Sequence, residues 1–443
     1  MTIETFNYPN GFRIIYEKSV NKLPTTSINM FCDVGSAYET DDSRGISHFI
    51  EHMCFKGTKK IPTTKGIMIY FDKIGSDLNA YTEKRYTCYT LKCHNEHIEK
   101  SVFILSDMLL NSIFKKSEFK KEEQVVIEEN IRDSDDPNII INENADRLLY
   151  EGTSYSEPVD TLKYHSKLFN YETVMDFYKY FYTPSRMILS IVTNISFNIV
   201  KKYIEKTFFM KNNKNTHNNL LHLSNKYQIK SILNPQYEIK YNLFEQHNTN
   251  TTHLSICFRT MKIDKYKLII LKTILSSSFS SRLFMLLREE NGLTYSSNIY
   301  TDYNGVNGDF IIYTEVNNKK ILKNGNNKGV LPLLIDMINE LRKNGITSEE
   351  LKMAKGFLKG SMIINMEDND ELVSHNGLYF LLHPDEEIIS YTQLYDKFYK
   401  NYTLKEINQI IKNYMVKSNM SVCLVGSNLP SLKQIKHECE KIK

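Results

Sequence analysis

Two histidines one helical turn apart are the residues of this chain whose spacing best suits chemistry. They lie in the run His48-Phe49-Ile50-Glu51-His52, and on a helix positions 48 and 52 point the same way. Two imidazoles at this spacing can bind one metal ion, and Glu51 lies beside them, close enough to act on a metal-bound water. The pattern is the reverse of the H-E-x-x-H zinc signature. It predicts zinc-dependent hydrolysis with His48 and His52 as ligands and Glu51 as general base.

A catalytic zinc usually takes three protein ligands and keeps one position for water, so a third ligand must come from elsewhere. A glutamate-rich predicted helix supplies candidates. Glu122 and Glu129 are seven residues apart and share a helical face with Val125 and Val126, which predicts that this face points inward. Glu128 falls on the polar face. Periodicity therefore favours Glu129 as the third ligand and Glu122 as a carboxylate that orients a ligating imidazole, whereas the alternative is an exposed acidic helix.

Alternating strand and helix patterns surround these residues. Gly45 opens the helix of the motif, whose apolar residues form a stripe that faces a core. The other predicted elements of the first half are strands at 12–16, 27–34, 76–82, 86–92 and 187–192, and helices at 63–74, 96–112, 117–133, 138–150 and 171–182.

The second half of the chain repeats part of the first. The segment 182–192 resembles 415–425, and the two are separated by about half the chain, which indicates duplication of one α+β unit. The polar, low-complexity stretch 211–225 is the best linker candidate, and Asn317–Gly329 is typical of a surface loop. We therefore predict two domains, 1–215 with the zinc motif and 226–443 without it.

Composition is that of a globular protein. The 443 residues carry a net charge of +4, with 41% hydrophobic and 24% charged residues. The sequence contains no cluster of basic residues interleaved with aromatics of the kind that would indicate nucleic-acid binding. It also contains no apolar run long enough to span a membrane. The seven cysteines include no C-x-x-C pair, which predicts buried, reduced thiols. With no targeting segment visible, we expect a soluble protein of a reducing compartment, with the cytoplasm favoured.

Several stretches, in a fixed order, resemble one family of metallopeptidases. They are the HxxEH run with Met53–Thr58 after it, and the segments Leu78–Thr82, Val125–Glu129, Tyr182–Met187 and Ser280–Tyr295. Together they resemble the pitrilysin/insulinase family of inverted-motif zinc peptidases, and within it the half-size members, which include the catalytic subunit of mitochondrial processing peptidase and bacterial relatives. The family spacing, counted literally, reaches Glu128. Alignment of the Val-Val-Ile-Glu-Glu run selects Glu129 instead.

The resemblance implies an α+β fold with two homologous domains, each a mixed β-sheet packed with helices, which form one half of a clam-shell chamber. It implies one Zn²⁺ per chain and a second domain that is inactive but contributes Arg288 and Tyr295 to the substrate. These two residues could share a helical face, or a helix end at Gly292 could let Tyr295 swing back. The strand with Asn79, Ala80 and Tyr81 would bind an extended peptide as an additional strand of the sheet, through its free backbone groups.

The same resemblance implies an endopeptidase acting on peptides or unfolded segments. The other half of the chamber would come from a second copy or a related half-unit, as a homodimer or heterodimer. In the region 138–146 the acidic residues that the mitochondrial enzymes carry are displaced or replaced by asparagine, which favours general peptide cleavage over presequence processing. The alternatives are a non-catalytic structural or regulatory relative, a structural zinc module with four ligands, and a peptide-binding chamber without hydrolysis.

Overall fold

The computed structural model describes residues 3–159, 170–210, 223–224, 226–231, 238–246, 249–304, 307–384 and 386–443. Within these ranges the chain forms two compact units that interleave along the sequence. Unit 1 comprises Met1–Ile131, Pro158–Ile229 and Met362–Leu394, and unit 2 comprises Arg132–Glu157, Lys230–Ser361 and Tyr395–Lys443.

Strands and helices mix along the whole described chain. The strands are β1 Ile3–Asn7, β2 Arg13–Lys18, β3 Thr25–Cys32, β4 Asp77–Thr82, β5 Thr87–His94, β6 Met187–Thr193, β7 Lys240–Glu245, β8 Thr251–Met261, β9 Ser297–Tyr300, β10 Tyr303–Asn304, β11 Asn307–Asn317, β12 Lys323–Asn324, β13 Asn327–Lys328 and β14 Met420–Gly426. The α-helices are α1 Ile46–Cys54, α2 Thr64–Lys73, α3 Ile98–Asn111, α4 Lys116–Asp133, α5 Pro137–Leu149, α6 Tyr171–Phe181, α7 Phe197–Ile204, α8 Lys265–Ser276, α9 Val330–Asn344, α10 Ser348–Asn365, α11 Asn369–Leu382, α12 Tyr391–Leu394, α13 Leu404–Tyr414 and α14 Leu432–Cys439. The mixed α+β class is thereby confirmed. No helix in the described ranges combines the length and apolar content needed to cross a bilayer.

Unit 1 is built on a six-stranded sheet in the order β1-β2-β6-β3-β5-β4. Strands β2 and β6 run parallel, and the other neighbours are antiparallel. One face carries the main apolar core, in which side chains of β2, β3 and β6 pack against α1, α3, α6 and α7. The stripe of α1 predicted from the sequence is part of this core, since Ile46, Phe49, Ile50 and Met53 are fully buried.

The opposite face of this sheet is covered by α11, which comes from the far end of the chain. This interface combines apolar clusters, such as Val192 with Leu372 and Val373, with buried polar pairs. Asn376 donates to the buried carboxylate of Glu17 over 2.7 Å, and Asn29 donates to Ser374 over 2.9 Å. Gly377 allows the close approach, because a Cβ there would lie 2.2 Å from the ring of Phe31. Unit 1 is therefore completed by a segment more than 300 residues away from β2.

Unit 2 contains the sheet β10-β11-β8-β14-β7, with β9 also pairing with β11. Strands β7 and β14 run parallel and the remaining pairs are antiparallel. The series β9-β11-β8-β14-β7 thus matches β4-β5-β3-β6-β2 of unit 1 in order and direction. The predicted duplication is confirmed, and β6 and β14, whose similarity suggested it, occupy equivalent places.

Helix α5 packs on the β14, β8 and β7 strands of unit 2. Tyr150, directly after the last residue of α5, donates to the buried Asp309 over 2.8 Å, and Tyr313 donates to Asn138 over 2.8 Å. Burial raises the pKa of Asp309, and the carboxylates of Asp302 and Asp146 raise it further. Each sheet therefore takes one covering helix from the other half of the sequence.

The structure agrees with the predicted elements of the first half to within about two residues. The stretch Asn317–Gly329, predicted to be a loop, instead contains a short helix at Asn318–Lys320 and the β12–β13 hairpin. Most of the predicted linker 211–225 lies outside the described residues. The boundaries 1–215 and 226–443 stay a prediction, because they assign roles to halves of the sequence, whereas the compact units take segments from both.

Candidate active site

The motif helix α1 is held at its N-terminus by a buried carboxylate. Gly45, at the N-cap, has φ of 82°, a conformation that favours glycine. The amides of Gly45 and Ser47 donate to the two carboxylate oxygens of Glu39 over 2.7 and 2.8 Å. Burial raises the pKa of Glu39 to about 7, although these hydrogen bonds favour the charged form. Glu39 therefore fixes the start of the helix that carries the motif.

His48, His52 and Glu129 converge on one point. Their ligand atoms all lie within 4.8 Å of one another. The Nε2 atoms of His48 and His52 are 3.1 Å apart, and His52 Nε2 lies 3.4 Å from an oxygen of Glu129. Ligands at zinc's usual bond lengths, arranged tetrahedrally, would be separated by about 3.3 Å. Two imidazoles and a carboxylate at these distances fit a zinc ion with three protein ligands.

Glu122 lies behind His52 on the side away from this point. His52 Nδ1 is 2.9 Å from Glu122 Oε1, and Lys56 Nζ is 2.5 Å from Glu122 Oε2. Burial alone would raise the pKa of Glu122, but the hydrogen bonds from His52 and Lys56 and the charge of Lys56 lower it below its ordinary value. Because an ionised carboxylate only accepts hydrogen bonds, His52 donates through Nδ1. In the neutral imidazole, Nε2 then carries a lone pair directed at the point where His48, His52 and Glu129 converge.

Glu51 is buried, with only 6% of its surface exposed. Its Oε2 accepts a hydrogen bond of 2.6 Å from the hydroxyl of Thr82, the last residue of β4. The neighbouring Thr87 donates to the carbonyl of Val34 over 2.9 Å. Thr82 thus fixes one carboxylate oxygen of the predicted general base.

Strand β4 lies at the edge of the sheet, as expected for a peptide-binding strand, and Asn79 and Tyr81 are exposed. One detail differs from the prediction. The amide of Ala80 is not free, because it donates to the side-chain oxygen of Asn79 over 2.9 Å. A peptide that paired with this amide would have to displace the Asn79 side chain.

The face of α4 is only partly as predicted. Val126 is fully buried, and Glu122 and Glu123 are nearly so, but Val125 is 43% exposed. The prediction that Val125 points inward was therefore wrong. The buried stripe is rotated toward Glu123, because 119, 122, 123, 126 and 130 form the contact face of the helix. Glu128 is exposed, and Cys54 is a buried core residue outside the metal group.

Arg288 and Tyr295 lie together in unit 2. The guanidinium carbon of Arg288 is 4.7 Å from the centre of the Tyr295 ring. Arg288 belongs to a π-helical segment, Phe284–Glu289, and the chain then turns at Gly292, whose φ is 55°. Of the two alternatives, the helix end with Tyr295 swinging back is the one observed. Tyr295 is 85% exposed and available to a ligand.

Three contributors to the site were missed by the sequence reasoning. Lys56 stood inside the resembling run Met53–Thr58, but nothing in its spacing linked it to Glu122. Thr82 was the last residue of the predicted strand 76–82, and Glu39 preceded the motif by nine residues. An acidic residue shortly before a glycine-initiated helix was the one local signal, since carboxylates stabilise helix N-termini.

A mixed α+β unit with a reversed HxxEH helix, a carboxylate from a second helix and a duplicated partner unit defines an inverted-motif metallopeptidase-like protein. The chain belongs to the insulinase family, Peptidase family M16. Residues 13–159 match the insulinase family model and residues 169–358 match the Peptidase M16 inactive domain.

The relatives agree with this membership. The chain is 32% identical over 391 residues to an uncharacterised zinc protease, YmxG, of Bacillus subtilis, with 86% of this chain and 88% of the relative covered. It is 29% identical to an uncharacterised zinc protease of Rickettsia felis, with 88% of each chain covered.

Two solved structures share the fold. One is a protease from Helicobacter pylori, with a TM-score of 0.84 at 18% identity, covering 96% of this chain and 99% of that one. The other is the first half of the periplasmic protease PqqL from Escherichia coli, with a TM-score of 0.77 at 17% identity, covering 99% and 96%.

Proposed function

We propose that this protein is a zinc-dependent endopeptidase, with one Zn²⁺ held by His48, His52 and Glu129. The observation that carries the proposal is the spacing of the three ligand atoms, which matches a tetrahedral site with one position left for water. Curated relatives named zinc proteases support the same assignment.

Zinc bound at this point would lower the pKa of a water molecule and polarise the carbonyl of the scissile peptide bond. Glu51 would take the proton of that water and return it to the leaving amine. Its carboxylate is buried, and the hydroxyl of Thr82 donates a hydrogen bond to one of its oxygens. The chain itself therefore supplies the ligands and the proton carrier.

The substrate would be an extended peptide or an unfolded segment. Strand β4 offers an open sheet edge beside the end that carries Thr82, so backbone pairing would bring a peptide toward Glu51. Such pairing reads the backbone more than the side chains, which suits varied substrates. Arg288 and Tyr295 present a cation and an exposed ring for further contacts with substrate.

The test uses four forms of the full chain with a mixed peptide pool analysed by mass spectrometry. Wild type should cleave peptides and lose activity with a chelator. Glu51→Gln should retain zinc but lose cleavage by at least about 1,000-fold, as expected when a general base is removed. Glu129→Gln should lose zinc, whereas Glu128→Gln, next to it but exposed, should behave like wild type.

The outcomes separate the alternatives. Zinc in wild type with no cleavage of any peptide would favour the peptide-binding or regulatory relative. Absence of zinc from wild type would contradict the site itself. Unchanged cleavage by Glu51→Gln would remove the proposed role of that glutamate.

We further propose that the working form contains two half-units, either two copies of this chain or this chain with a related one. The solved first half of a longer protease has almost the same extent as this entire chain. Size-exclusion chromatography with light scattering should give twice the chain mass for a homodimer. A monomer that cleaves peptides at full rate would contradict the requirement for a partner.

A further inference from the structure

Lys56 lies beyond the end of the motif helix and is fixed there by the following turn. Its amide donates to Met53 over 3.1 Å. Gly57 has φ of 123°, and a Cβ at that position would lie 2.6 Å from the Pro62 backbone, so the chain can reverse here only with glycine. The lysine side chain is mostly buried, with 22% exposed, and its partner Glu122 is 6% exposed.

Lys56 and His52 divide the two oxygens of Glu122 between them. Oε2 lies 2.5 Å from Lys56 Nζ, and Oε1 lies 2.9 Å from His52 Nδ1. Since His52 Nε2 is part of the metal group, the series Lys56–Glu122–His52 leads directly to the ligand atom. Carboxylates that bind the far nitrogen of a ligating histidine commonly strengthen metal binding.

We propose that Lys56 is a positioning residue that strengthens metal binding by holding the Glu122 carboxylate in the orientation that His52 requires. The inference rests on the proposed zinc site and deepens it, because it names a cation outside the ligand set that controls affinity. Without Lys56, one oxygen of a mostly buried carboxylate loses its partner, and the plane of the carboxylate is no longer fixed.

The sign of the effect makes the proposal testable. A lysine near a divalent cation repels it, so simple charge repulsion predicts that removing Lys56 tightens zinc binding. If Lys56 instead acts by orienting the Glu122 carboxylate, removing Lys56 should weaken zinc binding. The direction of the change in zinc affinity therefore decides between the two.

The experiment measures the zinc dissociation constant of the full chain by competition with a chelating dye. Lys56→Met keeps the aliphatic stem and should weaken zinc binding by about 10- to 100-fold, the range for residues that support ligands. Lys56→Arg keeps the cation and should stay within about threefold of wild type. Lys121→Met, which removes an exposed lysine paired with Glu118, is the matched control and should change nothing.

Two further variants show whether Lys56 acts through Glu122. Glu122→Gln should weaken zinc binding, and the double variant Lys56→Met with Glu122→Gln should be no weaker than Glu122→Gln alone. Independent, additive losses would overturn the inference. Circular dichroism checks folding, and Lys56→Gln replaces Lys56→Met if the latter does not fold.

Failure of this inference differs from failure of the proposed function. If wild type binds no zinc, the metal site itself is wrong. If wild type binds zinc but Lys56→Met binds it equally well or more tightly, the role of Lys56 is wrong and the zinc site stands. Weak binding by Lys56→Arg, equal to that of Lys56→Met, would also overturn it, because the cation would then not be the cause.

Discussion

The chemistry proposed for this protein depends on residues that converge on one point from two helices. His48 and His52 come from α1 and Glu129 from α4, and Glu51, the proposed general base, accepts a hydrogen bond from a hydroxyl at the end of β4. The ligand types and the spacing of the histidines were readable from the sequence, because one helical turn places positions 48 and 52 side by side. The hydrogen bond from Thr82 was not readable, since it joins positions 31 residues apart.

Thr82→Val should impair catalysis without loss of zinc. Valine has nearly the same shape but cannot donate to Glu51, and a hydrogen bond to a charged group is worth about 1.5–3 kcal/mol. We expect kcat to fall by about 10- to 100-fold, with KM within about twofold of wild type and unchanged zinc content. Thr82→Ser, which keeps the hydroxyl, should restore most of the rate. Wild-type kcat in Thr82→Val would show that Glu51 needs no such support.

At the scale of elements, α1 and β4 each carry a local feature that adjusts the site. Helix α1 begins on a buried carboxylate, and the open edge of β4 is partly covered by a side chain of its own. Both features follow from short-range geometry, yet neither leaves a periodic pattern in the sequence.

Glu39 should make the stability of the protein depend on pH. Its pKa in the folded protein is about 7, against an ordinary value of 4.5. Between these two pH values the folded state binds more protons than the unfolded state, so this residue lowers the free energy of unfolding as pH rises. The loss of stability caused by Glu39 is absent below about pH 4.5 and complete above about pH 7.

Glu39→Gln removes this titration. Its free energy of unfolding, relative to wild type, should therefore increase from pH 4.5 to pH 7, by an amount on the order of 3 kcal/mol. Urea denaturation of both proteins at a series of pH values, with chelator present, measures the difference. A difference that does not change with pH would contradict the assignment.

Asn79→Ala should strengthen binding of peptides at the β4 edge. The Ala80 amide would no longer be occupied by the Asn79 side chain, and one net hydrogen bond contributes about 1 kcal/mol. KM should fall by about fivefold at unchanged kcat, provided that KM reflects binding. Asn79→Asp keeps an acceptor and should resemble wild type. A higher KM in Asn79→Ala would instead indicate that the Asn79 side chain contacts the substrate.

At the scale of the whole molecule, each compact unit is finished by a segment from the other half of the sequence. Unit 1 receives Met362–Leu394 and unit 2 receives Arg132–Glu157. The contacts that attach α11 include buried polar pairs such as Glu17 with Asn376. Changes near residue 377 should therefore affect the unit that carries the proposed metal ligands.

Gly377→Ala should destabilise unit 1. The added Cβ would lie 2.2 Å from the Phe31 ring and 2.9 Å from Ser190, and overpacking of this kind costs about 1–3 kcal/mol. The thermal midpoint should drop by several degrees. Gly360→Ala is the matched control, because that helical glycine has open space around it and alanine favours a helix by about 1 kcal/mol. A drop confined to the control would contradict the packing argument.

The sequence by itself determined the candidate ligand types, the helix that presents two of them, the repeated α+β unit and the element boundaries of the first half, because these depend on periodicities of a few residues. Periodicity also favoured Glu129 over Glu128, and in the structure Glu129 joins the histidines while Glu128 is exposed. Tertiary structure alone decided that α4 is rotated to expose Val125 and that Lys56 contacts Glu122. It also decided that α5 and α11 complete units far from their sequence neighbours. These outcomes depend on how separate elements pack in three dimensions, and a periodic pattern within one element contains no information about the partner that covers its face.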